Sequence, residues 1–410
     1  MKATLLIILL ICTSFYSFSQ EKPDRPPLNE RFKQYMKNDK GIHMVQKDSL
    51  FSATFQFRMQ NRAAYYSASE RDFTPEQFEF RIRRLRMKLK GFVYTPKLTY
   101  YVQLSFSRAD MDWDANDFSA TNSSPNVIRD AMINYKFNNI FSIGFGQTKL
   151  PGNRQRVISS GDLQFADRSI VNSTFTNDRD FGFFGTADLN KWVIKAALTS
   201  GEGRNSNKSN YGLSYTGRIE YLPFGKFTLN NDYIEGDLAR EPKPKVSIGA
   251  SYNFNHKAIR RGGQLGKDLV TPSNLQTLHL DFLFKYKGFA VSNEYSTRIS
   301  EHSITNNSSE VVNTYVGYGN NIQVSYIFKN NFEIAGRYVF IAPYKSVYNN
   351  LDFPQINEKR EEQIHLGITK YIYGHRVKIQ GNLVYQIKKD LRAASQRSNF
   401  GAIFQFEIGI

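Results

Sequence analysis

The sequence predicts an all-β fold, a transmembrane antiparallel β-barrel of about sixteen strands with short periplasmic turns and long extracellular loops. Three observations carry this. From Phe51 to the last residue, apolar and polar side chains alternate with period two, the mark of strands with one apolar and one polar face. The connections between these strands alternate short and long. And the chain is polar overall, with a mean hydropathy of −0.48, yet holds 33 Phe and 24 Tyr. Aromatic girdles at two membrane interfaces around a wet lumen reconcile those two facts.

The N-terminus reads as an export signal over residues 1–19. Lys2 is followed by the apolar run Leu5 to Ile11 and by Ser17-Phe18-Ser19 before Gln20. That run is too short to span a bilayer as a helix. A lipoprotein reading through Cys12 is the alternative, but Ile11 stands where such sites want a small residue. Cys12 is the only cysteine, so the mature chain would hold no disulfide, thiolate metal site or cysteine nucleophile. Residues 20–50 are polar and proline-containing, and read as a periplasmic extension. Residues 51–410 are the barrel.

Strand starts are expected near Phe51, Phe78, Leu98, Val127, Ile140, Arg179, Lys191, Tyr211, Lys245, Gln276, Gly288, Tyr315, Asn331, Glu362, His375 and Arg397. Leu98, Tyr100, Val102 and Leu104 alternating with Thr99, Tyr101, Gln103 and Ser105 is a clear instance. Short turns fall at Thr95-Pro96-Lys97, Asn138-Asn139, Leu189-Asn190, Lys329 to Asn331 and Tyr373-Gly374; long loops span 109–126, 151–178, 254–275 and 342–361. Residues 223–244 break the parity, and read either as a hidden strand pair or as an extended periplasmic segment. In lipid no backbone group can go unpaired, so the sheet must close on itself. A soluble β-sandwich of this many strands would need two domains, and no linker divides the chain.

The strongest local feature is the run from Phe78 to Lys90. Phe80 and Ile82 share one face, but after Arg84 the phase slips and Leu85, Met87 and Leu89 become the apolar set. One extra residue near Arg83-Arg84, a β-bulge, keeps every apolar side chain toward lipid. Arg81, Arg83, Arg84, Arg86, Lys88 and Lys90 then line the lumen, because a mid-membrane cation facing lipid costs about 2–4 kcal/mol. A ladder of cations is how a pore selects anions, and the Arg fork suits phosphate. The plainer reading is a wet wall with charges that balance acidic loops. Lys195, Arg218, Arg337 and Lys378 share the lumen phase, as do the acids Asp130, Glu220, Asp281 and Glu333.

The third long loop leaves the strand that ends near Lys149 and turns at Pro151-Gly152. It and its flanks carry Lys149, Arg154, Arg156, Arg168 and Arg179. It reads equally as an inward-folded constriction or as a surface loop. The six His are scattered, with no metal-ligand spacing and no nucleophile elbow. No enzyme activity, metal or cofactor is expected. The basic balance of +17 points to small anionic solutes and outer-membrane lipid, since export leaves nucleic acid out of reach.

The chain resembles the phosphate-selective porin O/P family in its Bacteroidetes form. The likeness rests on Arg83-Arg-Leu-Arg-Met-Lys-Leu-Lys-Gly91 with Tyr100-Tyr-Val-Gln103, and on Ile128 to Tyr135. Ile143 to Pro151, Asp178-Arg-Asp-Phe-Gly182 and Asp232 to Asp237 add to it. The resemblance implies a sixteen-stranded barrel, usually a homotrimer, that passes phosphate or related anions down a basic pathway. It places Arg81 to Lys90, Lys149, Arg154 and Arg156 on that pathway. A passive anion porin is the leading function. A non-selective general porin and a barrel that displays binding or adhesion loops are the other readings.

Overall fold

The computed structural model describes residues 41–45, 50–107, 127–206, 210 and 212–410. The expected signal segment, most of the 20–50 extension and the 109–126 loop lie outside the described residues.

The short strand β1 (Ile42–Val45) is followed by β2 (Phe51–Ser67), β3 (Pro75–Val93), β4 (Thr95–Ser105), β5 (Ile128–Lys136) and β6 (Phe141–Lys149). Next come β7 (Arg179–Leu189), β8 (Trp192–Thr199), β9 (Ser214–Tyr221), β10 (Lys245–Arg260), β11 (Asp268–Tyr286) and β12 (Phe289–Ser300). A two-stranded loop ribbon, β13 (Ile304–Asn306) and β14 (Val311–Asn313), precedes β15 (Gly317–Ile327), β16 (Phe332–Pro343), β17 (Arg360–Tyr373), β18 (Val377–Asp390) and β19 (Ser395–Gly409). Seventeen strands share one sheet. Leaving out β1, sixteen of them form a closed antiparallel ring, because β19 pairs back onto β2 from Gly401↔Tyr66 to Gly409↔Arg58. β1 extends the same edge of β2 below that pairing, from Ile42↔Phe55 to Val45↔Ser52.

The two faces follow the pleat. On β17, Ile364, Leu366 and Ile368 point outward and are exposed, whereas Gly367, Thr369 and Tyr371 are buried inside. Gln380 and Asn382 on β18, and Gln405 and Glu407 on β19, are buried polar groups between outward-facing Leu383 and Phe404. The barrel is apolar outside and polar within, which is the reverse of a water-soluble core.

The predicted bulge is present. Gln60 pairs with Arg84 and Asn61 with Ile82, so Arg83 is the extra residue. Phe78, Phe80, Ile82 and Leu89 are all exposed, on the lipid side. Two glycines of the resemblance motifs also gain a reason. Gly146 and Gly182 face each other across β6 and β7. A Cβ on either would stand 2.2 Å from a carbonyl oxygen, that of Ala131 or of Leu198.

Three expectations need correction. The turn placed at Thr95-Pro96-Lys97 centres on Tyr94, which has a left-handed φ of 66°. Pro96 has no N–H to give, and the β3–β4 ladder skips from Val93↔Thr95 to Phe92↔Thr99. β11 begins at Asp268, well before Gln276. The β10–β11 hairpin continues upward through irregular pairs such as Ala258↔Ser273 and Arg260↔Asp268, where bulges erase the period. Residues 223–244 hold no strand pair. They form a 3-10 turn at Thr228–Tyr233 and lie at the periplasmic mouth, on the side the second reading gives them, but folded in against the barrel rather than extended. Two apolar clusters seat them, Phe227 with Leu222 and Leu283, and Ile234 and Leu238 with Ile327 and Tyr371.

If Leu366 faces lipid at mid-strand, Leu366→Arg should lower the folding stability in vesicles by about 2–4 kcal/mol. Urea-titrated folding measures this, and a change below about 0.5 kcal/mol would mean that the position faces water instead.

Candidate channel lining and constriction

Of the two readings of the third long loop, the structure adopts the inward one. The Leu150 N–H donates to the Asp178 carbonyl (2.8 Å), which pinches the base of the loop. Between them the chain makes two helical segments, Arg154–Val157 and Ile170–Phe175; in the second, Ser169 caps the start by accepting from the Asn172 N–H (3.2 Å). Val171 and Phe175 pack on Tyr315, Val339 and Ile341 of the wall. A loop buried this deeply must have its backbone groups satisfied, and wall side chains do so. Lys378 donates to the carbonyls of Gly161 (2.9 Å) and Leu163 (2.7 Å), and Thr369 to that of Gln164 (3.1 Å). The Ala166 N–H donates to Asn382 (2.9 Å).

Three charge stations fix the loop. At the first, Asp167 meets Arg62 (2.5 Å), Arg83 (3.1 Å) and Arg84 (3.3 Å). Burial alone would raise the Asp167 pKa, but Arg83, Arg62 and Arg84 outweigh it and hold the carboxyl well below the usual range. The bulge makes this contact, since it lets two successive residues of β3 reach one carboxylate. At the second, Arg154 contacts Asp281 (2.5 Å) and Glu220 (3.3 Å), and Arg218 contacts the same two acids at 2.8 and 2.7 Å. At the third, Arg179 pairs with Asp130 (3.0 Å) and Asp178 (3.2 Å), and Arg156 also pairs with Asp178.

The inserted segment 223–244 meets the loop from below. Lys285 donates to the carbonyls of Asn231 (2.5 Å) and Ile234 (2.6 Å), and Asp237 accepts from the Gly288 N–H (2.7 Å). The Glu235 N–H donates to the Asp162 carbonyl (2.8 Å), while its carboxylate accepts from the Gln164 N–H (3.0 Å) and the Gln155 amide (2.9 Å). The Tyr233 hydroxyl donates to Glu220 (2.5 Å) and receives from Lys195 (2.6 Å).

Two cavities open on the wall that β2 to β6 form. An upper cavity of about 160 Å³ is lined by Arg86, Lys88, Lys149 and Arg179, with Asp130 its one acid among the described residues. A lower cavity of about 350 Å³, at the periplasmic end, is lined by Arg58, Arg86, Lys88, Lys90 and Arg376 against Asp162 and Glu407. Arg86, Lys88 and Ser159 belong to both.

The sequence-predicted cations therefore divide. Arg86, Lys88, Lys90 and Lys149 line the cavities; Lys149 also donates to the carbonyls of Val157 (2.9 Å) and Ile158 (3.1 Å). Arg83 and Arg84 hold Asp167. Arg81 lies at the outer end of β3, half-exposed and paired with Glu79 (2.5 Å). Arg154, Arg156, Arg218, Arg337, Lys378 and Lys195 line neither cavity. They tie the loop or the inserted segment in place; Arg337, for example, donates to the Asp167 carbonyl (3.1 Å) and covers the Phe165 ring at 4.0 Å. Arg58 and Arg62 on β2 were not singled out from sequence. Their signal was available, since they share the polar phase of Gln56 and Gln60 between Phe55, Phe57 and Met59.

A closed barrel, apolar outside, narrowed by a buried loop and cationic along its open wall, is a porin-type channel of the outer membrane. Residues 54–338 match the family described as phosphate-selective porin O and P, and the chain belongs to that family. No curated protein matches the chain. Among solved structures it is similar to the outer membrane channel DcaP of Acinetobacter baumannii (TM-score 0.53, 10% identity, 89% of this chain and 99% of that one). It is also similar to OmpF of Salmonella typhi in complex with daunomycin (0.54, 11%, 90% and 100%) and to the trimer form of OmpT of Vibrio cholerae (0.51, 10%, 87% and 99%). At such identities the likeness establishes the fold alone.

Removing one partner of a buried ion pair costs about 3–5 kcal/mol, since the remaining charge is left uncompensated. Arg154→Ala leaves Asp281 and Glu220 to Arg218 and removes the loop's own tie to this station, so its cost falls below that of a fully stranded charge. It should free this part of the loop and raise the single-channel conductance in planar bilayers; an unchanged conductance would mean that the Arg154 station does not hold the constriction.

Proposed function

We propose that the protein is a passive porin that prefers small anions of the phosphate class, guided by Arg86 and Lys88 with Lys149, Lys90 and Arg58. The observation that supports this best is the sharing of Arg86 and Lys88 by both cavities, in walls where cations outnumber acids. Among the other lumen cations, Arg62, Arg83, Arg84, Arg154, Arg156 and Arg218 pair with Asp167, Asp281, Glu220 or Asp178, and Arg337, Lys195, Lys285 and Lys378 are held against carbonyls or a hydroxyl. The net field on a passing solute therefore comes from the β2–β6 wall, where a low-dielectric lining strengthens it. An Arg and a Lys side by side offer a forked donor and a compact charge to one oxyanion.

The same reading includes export by cleavage after residue 19 and a homotrimer, the latter in line with the trimer form of the fold-related OmpT. Loosening of the loop or a blocked lumen would instead favour the general-porin or loop-display readings.

The test is the reversal potential of the purified protein in planar bilayers under a salt gradient, with inorganic phosphate titrated in. We expect anion preference and a chloride current that falls as phosphate is added. Arg86→Glu with Lys88→Glu should reverse the preference. It should also raise the half-blocking phosphate concentration at least about tenfold, near 1.4 kcal/mol. A non-selective or cation-preferring wild-type channel would overturn the anion reading, and no channel at all would favour loop display.

A further inference from the structure

The lower cavity has two unlike walls, besides Ser159, Gly161 and Asp162 of the loop and Glu407 of β19, which also line it. One is the cation wall of β2 and β3, with Arg58, Arg86, Lys88 and Lys90. The other is supplied by the inserted segment through Leu229, Tyr233 and Ile234. That second wall is held in place rather than draped there. Lys285 grips the carbonyls of Asn231 and Ile234, and Tyr233 is fixed through its hydroxyl by Glu220 and Lys195. Within the segment, Glu241 accepts from the Thr228 N–H (2.9 Å) and from Asn231 (3.1 Å). Leu229 and Asn230 both take left-handed backbone angles, φ 52° and 58°. Such angles are uncommon outside glycine and asparagine. Backbone strain of this kind clusters at ligand sites.

A fully hydrated inorganic anion gains nothing from an apolar surface. A cavity of about 350 Å³ also falls in the range of sites that take small organic molecules, roughly 300–1,000 Å³. We propose that the lower cavity is a binding site for phosphate monoesters carrying an apolar or aromatic group. The phosphate lies on Arg86 and Lys88, and the organic part lies against Leu229, Tyr233 and Ile234. The segment 223–244 is then a second selectivity element, set at the periplasmic end and separate from the loop. This assignment rests on the anion-porin reading and adds the identity of the preferred anion.

The probes are phenyl phosphate and inorganic phosphate, each titrated on both sides of a planar bilayer holding the full-length protein. Phenyl phosphate should reduce the chloride current at a concentration at least tenfold lower. Leu229→Asn keeps a residue that tolerates left-handed angles and removes the apolar contact, so it should narrow that ratio to within about threefold. Equal block by both anions in the wild type would overturn the monoester site and leave the anion porin standing. A ratio untouched by Leu229→Asn would overturn the role of the segment. Absence of anion preference in chloride alone would overturn the underlying reading itself.

Discussion

Closure of β19 onto β2 is the constraint on which the rest of the structure depends. In hydrocarbon an unpaired strand edge is intolerable, because each orphaned N–H or C=O costs several kcal/mol and no water can replace the missing partner. Once the ring is shut, the pleat dictates the remainder. Outward positions become apolar and inward ones polar, so the interior fills with groups that themselves need partners. The buried loop and the inserted segment supply those partners. Lumen charges such as Arg218, Asp281 and Glu220 are satisfied by chain that enters from either end. The narrowing of the pore is thus a consequence of neutralising its walls.

That neutralisation is uneven, and the unevenness carries the function. On the sector from β9 to β18, wall side chains are spent on backbone carbonyls and carboxylates of the entering chain. On β2 to β6 the loop is tied as well, at Arg58, Arg62, Arg83, Arg86 and Lys149 among others. Cavities remain there, with a positive excess. A side chain can share the lumen phase and still have no access to solute. Orientation and accessibility are different properties in a barrel that folds its own loops inward.

This difference explains what the sequence could reveal. Strand starts, loop parity and the bulge at Arg83 were legible because they are local and follow the period-two rule. The cations of β3 were legible for the same reason. Arg58 and Arg62 were equally visible in phase but stand in a less basic run. The partners were not legible. Which carboxylate meets Arg62 depends on the course of the loop, and Asp167 has no local feature that marks it. The inward fold of 223–244 was hidden likewise, since it relies on Lys285, Gly288 and Glu220 from distant strands.

The bulge at Arg83 has a consequence for how such a channel can change over generations. Because the extra residue interrupts the ladder without altering which side chains face lipid on either side of it, excising it would leave the outer surface of β3 intact and the neighbouring pairs in step. Lineages could therefore gain or shed a guanidinium at this depth by a single-codon insertion or deletion, with no compensating rewrite of the strand. Charge at this level of the wall becomes a trait that drift and selection can adjust independently of the membrane-embedded scaffold.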